Sequence, residues 1–452
     1  MDTAVQKSMG NCAMRNTPCF RVLSAPMTDA LPAATPLPAE VDVVVVGAGA
    51  AGIGAARKLM GRPGLSVLLL EARDRIGGRA RTLPFRGEGL DLGCGWLHSA
   101  DDNVLAGLVE REGLTIDRTE PPWRSQAFNH ETTPEELAAF GAAFAAFETR
   151  VAEAAQRGED RPAAELFDPD SPWNPRMDAI SGALNGARFA EVSTLDYDAY
   201  GDTGVNWRVR EGYGRLVAAL GRPLESITAT GCAVYRIDRS GPALRLETRR
   251  GGLQARAVIL TAPNSLIASG AVRIDPPVPA WLEAASGVPL GLASKVHMTV
   301  DGAEDFPPDS QLWTRRDTAQ TGGYHLRPFG RPMIEAYFGA DLAWGLEAEG
   351  PAAMFDFAVS ELAAALGSGM RRRLSLVAAT EWGVDPFSRG AYSHALPGHA
   401  GDRTRLRQSV EDRLFLAGEG TAPTYYGTAH GAWMEGERAA EAALAALKGS
   451  VR

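Results

Sequence analysis

The chain has 452 residues, 45% of them hydrophobic and 22% charged, with a formal net charge of -9. That length exceeds one small core, so two packed domains are expected, and the acidic balance offers no basic stripe with which to neutralise nucleic-acid phosphates. No apolar run is long enough to span a bilayer, and the spacing of Cys12, Cys19, Cys94 and Cys232 fits neither a disulfide framework nor a zinc site, so a cytoplasmic protein without metal or membrane anchor is expected.

Residues 1–40 show no periodicity and no secretory apolar segment, and read as a disordered leader with Met27 as an alternative start. Order begins at Val41. The run Val41-Asp42-Val43-Val44-Val45-Val46 is β-branched at nearly every position, as in a strand buried on both faces. Gly47-Ala48-Gly49-Ala50-Ala51-Gly52 follows, a helix is expected over 53–60, and a second buried strand over 66–70 ends at Glu71. In that strand–turn–helix setting Gly47 serves the tight turn, Gly49 lets backbone approach a pyrophosphate, and Gly52 lets helix pack on strand. Glu71, 19 residues beyond Gly52, stands where a carboxylate accepts ribose hydroxyls. Immediately after it, Arg73, Arg75, Gly77, Gly78 and Arg79 supply a second glycine pair with arginines. A nicotinamide enzyme has no need of that element, whereas a flavin enzyme can use it to wrap the pyrophosphate, with Arg79 donating charge-assisted hydrogen bonds.

Further along, Thr133-Pro134-Glu135-Glu136 reads as a capping box opening a long helix with Phe140, Phe144, Phe147 and Val151 on one face. Residues 160–205 carry many prolines and no clear pattern. A helix is expected over 211–220, strands over 233–238, 243–248 and 257–260, and more strands over 293–300, 311–313 and 333–338. A helix over 352–366, a strand over 414–416 and a C-terminal helix over 429–447 complete the pass.

On the two glycine motifs and on the closing motifs Trp382-Gly383-Val384-Asp385-Pro386-Phe387-Ser388-Arg389-Gly390-Ala391-Tyr392, Gly418-Glu419-Gly420 and Thr428-Ala429-His430-Gly431-Ala432, the chain resembles the flavin-containing amine oxidases. That group holds monoamine oxidases, polyamine oxidases and flavin histone demethylases. The resemblance implies an α/β fold: a Rossmann-like FAD-binding domain built from separated segments, plus an α+β substrate domain with a mixed, six-stranded sheet roofing the flavin. The segments would be 41–114, 205–286 and 376–452 for FAD, and 115–204 and 287–375 for substrate.

The resemblance also assigns roles. Gly47, Gly49, Ala51, Gly52, Glu71, Ala72, Arg73, Gly78 and Arg79 would hold the FAD phosphates and ribose, and Val234 would join them. Gly95, Trp96, Trp382, Gly418, Glu419, Thr428 and Ala429 would line its flavin end, the last helix pointing its N–H groups at the pyrimidine edge. His98, in Asp91-Leu92-Gly93-Cys94-Gly95-Trp96-Leu97-His98, sits where polyamine-type members carry a histidine facing the substrate. Lys295 matches the lysine that holds a water against flavin N5, and an inward lysine on a buried strand is costly without such a task. Tyr392 would form one wall of an aromatic cage. Ala391 stands where monoamine oxidases carry the cysteine that bonds to the flavin, so FAD is expected to be non-covalent. Thr428, where monoamine oxidases have a tyrosine, argues against a two-tyrosine cage, and is counted with Lys295, His98 and Tyr392 as catalytic.

The implied reaction is hydride transfer from the amine α-carbon to flavin N5. It gives an imine that water hydrolyses to an aldehyde or ketone, with reoxidation by O2 to H2O2. The expected partners are a small amine, a polyamine or other alkyl amine, and O2, acting on a monomer or homodimer. Glu191, Asp196, Asp198 and Asp202 are open candidates for a second cationic group of the substrate, or are loop charges. A flavin desaturase or porphyrinogen-type oxidase, and a flavin-stabilised binding protein, remain as alternatives.

Overall fold

The computed structural model describes residues 36–449, so the expected leader lies outside the described residues up to position 35. The buried strand Glu40–Val46 pairs in parallel with Val67–Leu70 on one side and with Gly251–Leu260 on the other. Alternation of its side chains decides what covers it. Val43 and Val45 join a core with the helices Ala50–Leu59 and Ala429–Gly449, while Val44 and Val46 join a second core with Trp281 and Leu406. Helices on both faces make this the doubly covered sheet expected of a Rossmann-like domain. Its eight strands come from three stretches of chain, within 40–70, 228–275 and 414–416.

The helix after the first glycine motif runs Ala50–Leu59 and starts three residues earlier than its glycine content suggested. The glycines serve packing. A Cβ on Gly54 would lie 2.9 Å from the Trp433 carbonyl oxygen, and one on Gly436 would lie 1.9 Å from that of Ala51, so the last helix rests directly on the first.

A second sheet has the order Ser310–Trp313, Gly323–Leu326, Met333–Gly339, Ala293–Val300, Leu374–Ala379. It has five strands where the resemblance implied six, and it is antiparallel throughout; the mixed pairing belongs to the large sheet. Short connections reverse the chain between Ser310–Trp313, Gly323–Leu326 and Met333–Gly339, which only antiparallel pairing allows, while three helices separate Met333–Gly339 from Leu374–Ala379. Leu374–Ala379 pairs with Ala293–Val300, so the boundary expected between 375 and 376 falls inside a strand of this sheet. Val296, Met298 and Val300 turn into a core with Ile334 and Phe338, and the same alternation turns Lys295 and His297 to the opposite face.

The expected capping box is present: the Thr133 side chain accepts from the Glu136 amide, and Glu136 returns a bond to the Thr133 amide. The helix it opens, Pro134–Gln156, buries Phe147 and Val151 against Phe189 and Met177. The stretch that gave no pattern contains the helix Asn174–Asn185. No helix among the described residues is long and apolar enough to cross a membrane.

Candidate active site

The two glycine motifs fold onto one another. Gly47 has φ +102°, and a Cβ there would lie 2.5 Å from the Thr261 hydroxyl; a Cβ on Gly52 would lie 1.7 Å from the Gly47 carbonyl oxygen. The Gly77 amide donates to the Ala48 carbonyl at 2.8 Å, and a Cβ on Gly78 would lie 3.1 Å from the Gly49 Cα, so both loops meet at the start of the helix Ala50–Leu59. No side chain caps that helix start, which leaves its first N–H groups for an anion. Glu71 is buried at the end of its strand and accepts from the amides of Ala48 (2.8 Å) and Arg73 (2.9 Å). The Cys232 amide donates to the Glu71 carbonyl, bringing the strand that begins at Val234 alongside. A cradle of bare backbone beside a buried carboxylate fits a dinucleotide, and Ala51, Gly52 and Ala72 lie within it.

The arginines divide. Arg73 keeps Nη1 3.8 Å from Glu71 and sends Nη2 to Asp385 (2.7 Å) and Ser388 (2.8 Å). Arg79 pairs with Glu419 at 2.9 Å and donates to the Ala391 carbonyl, so it ties the second glycine motif to both closing motifs. Glu419 is buried. Burial alone would raise its pKa, but Arg79, Ser393 and Arg403 bring it below the usual range, and its Oε2 accepts from Ser393 Oγ (2.6 Å) and the Gly427 amide (2.9 Å). Three parts of the chain meet again where a Cβ on Gly93 would lie 1.7 Å from the Arg79 carbonyl oxygen and 3.6 Å from the Trp382 ring, whose indole N–H donates to the Leu92 carbonyl at 2.9 Å. We expect Gly52→Ala to force this turn open at a cost of about 3 kcal/mol, roughly a 10²-fold loss of FAD affinity, measured by titrating apoprotein with FAD.

Lys295 is 7% exposed and reaches across from the second sheet. Its Nζ donates to the Asp91 carbonyl (3.2 Å), pairs with Glu335 (3.2 Å), and would lie 3.2 Å from a Cβ on Gly95. Lysine strand and glycine segment are therefore in contact. Burial would lower the Lys295 pKa, but the charges of Glu335 and Asp91 raise it; burial likewise opposes the Glu335 carboxylate, which Lys295, His297 and His325 hold down at about 2.

His98 Nδ1 lies 2.7 Å from Asn206 Oδ1, and Asn206 Nδ2 donates to the Gly204 carbonyl at 3.2 Å. That second bond orients the amide with its oxygen toward the ring, so Nδ1 carries the proton and Nε2 keeps a lone pair. Burial lowers the His98 pKa, favouring the neutral ring. His98 makes no hydrogen bond to Lys295 or Tyr392; its ring lies 6.0 Å from that of Trp123, which meets Trp96 edge-on at 4.8 Å.

Tyr392 donates to the Ala183 carbonyl, and its hydroxyl lies 3.1 Å from that of Tyr337. A second tyrosine therefore stands beside it, supplied by the sheet rather than by position 428. Thr428 caps the last helix: its hydroxyl donates to the Tyr425 carbonyl (2.6 Å) and accepts from the Gly431 amide (3.0 Å), and Ala429 opens the helix. Among the acidic candidates, Asp196 is buried in an ion pair with Arg403 at 2.6 Å. Glu335, His297 and Tyr337 were not anticipated. The signal for Glu335 and Tyr337 was the alternation in Met333–Gly339, which puts both on one face of an otherwise apolar strand, and His297 shares the face of Lys295 on Ala293–Val300.

Comparison with known proteins bears on the family and the fold. Residues 50–444 match the family model described as flavin containing amine oxidoreductase. Polyamine oxidase 2 of Arabidopsis thaliana is 28% identical over 438 residues, covering 88% of this chain and 87% of that protein. Lysine-specific histone demethylase 1 homolog 3 of Oryza sativa subsp. indica is 28% identical over 449 residues, covering 91% of this chain and 54% of that protein. Among solved structures, cyclohexylamine oxidase from Brevibacterium oxydans superposes with a TM-score of 0.72 and putrescine oxidase bound to putrescine with 0.70. Each is 19% identical and covers 90% of this chain and 99% of the other, a likeness of fold.

Proposed function

We propose that the chain, which belongs to the flavin-containing amine oxidoreductases and is an FAD-dependent amine oxidase, oxidises an alkyl amine, polyamines included, to an imine and passes the electrons to dioxygen. The observation that carries this reading is the buried ammonium of Lys295 set against the backbone of residues 91–95, beside the closing motifs that meet at Arg79 and Glu419. When bound, FAD supplies an acceptor for the hydride leaving the carbon next to nitrogen. The chain's own residues do the rest. Neutral His98 offers Nε2 as an acceptor for a substrate N–H, which favours the uncharged amine that can lose hydride. The apolar faces of Trp96 and Trp123 and the tyrosine pair Tyr337–Tyr392 desolvate and orient the substrate. Lys295, with Asp91 and Glu335 taking two of its three N–H groups, keeps one for the space that Gly95 leaves open, where dioxygen gains negative charge on its way to hydrogen peroxide.

The test is anaerobic mixing of the purified yellow protein with a panel of monoamines, polyamines and amino acids, followed by admission of air and assay for peroxide and aldehyde. Bleaching by at least one amine, with stoichiometric peroxide, is expected; a flavin left oxidised by every amine overturns the reading. Because Ala391 carries no thiol, acid precipitation is expected to leave all the yellow colour in the supernatant, read by its visible spectrum.

A further inference from the structure

Lys295 is the end of a polar row that crosses the second sheet. In the strand register Lys295 faces Tyr337, His297 faces Glu335, Glu335 faces His325, and His325 faces Gln311. Side chains opposite one another in a sheet are neighbours, so the row is continuous. Glu335 lies at its centre, 3.2 Å from Lys295 Nζ and 3.5 Å from His297 Nδ1. Beyond His325 the row goes on: His325 Nε2 lies 3.1 Å from Asp309 Oδ1, which also accepts from Arg208 (2.7 Å), and Arg208 in turn holds Asp117 (2.7 Å). The other charges facing this row are Arg331, which reaches the Gly89 carbonyl at 2.9 Å, and the carboxyl of Asp91, raised by burial. A cavity of about 40 Å³, lined by Lys295, His297, Glu335, His325, Arg208 and Phe329, runs along the row and is large enough to hold ordered water.

A row of apolar residues would fill this space at lower cost, since a buried ion pair is seldom more stable than packed hydrocarbon. The polar row is explained by a proton that must travel. If dioxygen is the acceptor, as the reading above holds and on which this step rests, each turnover takes two electrons and two protons into hydrogen peroxide. One proton arrives with the electrons as hydride; the other must cross the protein to a site where the nearest donor is Lys295 Nζ.

We propose that Glu335 is a positioning residue that keeps the Lys295 ammonium charged and, with His325 and cavity water, returns to it the proton lost to each peroxide. The Lys295 N–H bond breaks as the peroxide O–H bond forms, leaving a neutral amine. A solvent proton taken up at the outer end, where His325 meets Asp309, passes through cavity water and over the Glu335 carboxylate and rebuilds the ammonium, so each proton lost to peroxide is replaced by one from solvent. No electrons move in this second step, and the ammonium is ready for the next turnover.

The experiment uses the holoenzyme with side-chain 13C-labelled lysine. The lysines of the chain are Lys7, Lys58, Lys295 and Lys448, and loss of one signal in Lys295→Met assigns the Lys295 resonance. In Glu335→Gln the Lys295 titration should move to lower pH. Reoxidation of the reduced enzyme by dioxygen should slow about 10²-fold, the deficit widening as pH rises. In His325→Ala the Lys295 titration should stay in place while reoxidation slows about tenfold, and added imidazole should restore it. Bound-flavin spectra report whether either variant has lost its fold. A Glu335→Gln enzyme with the wild-type lysine titration and pH profile overturns the proposal, as does a His325→Ala enzyme with wild-type reoxidation. If the wild-type reduced enzyme does not react with dioxygen, the oxidase reading falls, whereas an unmoved lysine titration counts against Glu335 alone.

Discussion

Lys295→Met is expected to slow reoxidation by dioxygen about 10²- to 10³-fold, the loss that accompanies removal of one preorganised electrostatic group, while anaerobic reduction by amine changes far less. The asymmetry follows from position. Lys295 touches the Asp91 carbonyl and Glu335, and stands 5.9 Å from the centre of the Tyr337 ring, but makes no hydrogen bond to His98 or Tyr392, the groups placed to handle the amine. Its charge favours a species that becomes more negative, which dioxygen does and the amine does not. The single variant has a second effect, because it leaves the Glu335 carboxylate buried without its main partner. Glu335→Gln in the same chain removes that burden, so the double variant should regain stability without regaining the reoxidation rate. Stopped-flow traces of both half-reactions, with urea unfolding of both variants, separate the two effects. Equal losses in both half-reactions would mean that the lysine supports the fold rather than the oxygen step.

What could be read ahead of the structure was chemistry encoded over short spans. The Gly47–Gly52 turn and Glu71 were legible because strand, turn and carboxylate follow in order, and Gly47 and Gly52 answer clashes with Thr261, which follows the adjacent strand, and within the turn itself. Lys295 was legible because a lysine among Val, Met and Ala on a buried strand demands a reason. Glu335 went unread although it sits in a comparable strand, since its partners lie on Ala293–Val300 and Gly323–Leu326 and only the register brings them together. The helix Asn174–Asn185 was hidden for a similar reason. A Cβ on Gly182 would lie 3.0 Å from the Gly339 carbonyl carbon, so a residue that weakens helix propensity is needed by a strand far along the chain. At Thr428 a different kind of information was hidden: its neighbours match the family motif, but only the structure shows its hydroxyl ending a loop and starting a helix. The acidic candidates could not be sorted by sequence at all, because a solvated loop charge and a buried ion pair look alike without the partner.

Asp196 resolves that last ambiguity in a way that a stability measurement can check. Its two oxygens accept from Arg403 Nε (2.6 Å) and Nη2 (2.9 Å), and Oδ2 also accepts from the Ala395 amide at 2.8 Å. The guanidinium lies 3.8 Å from the centre of the Tyr426 ring, and the Tyr426 hydroxyl donates to the Asp196 carbonyl at 2.6 Å. Arg403 is 1% exposed, so once its partner is gone no water can take the place of the carboxylate. Asp196→Asn should therefore cost about 3–5 kcal/mol of stability, the penalty for an uncompensated buried charge. The damage should also reach the cofactor, because Arg403 Nη1 donates to Ser393 Oγ at 2.8 Å, and that hydroxyl holds Glu419, the partner of Arg79. Loss of folded protein and loss of flavin should appear together in thermal unfolding followed by flavin fluorescence, with KM for amine unchanged in whatever remains folded. Were Asp196 instead the group that grips a second ammonium of the substrate, the same change would raise KM several-fold and leave the melting temperature where it was.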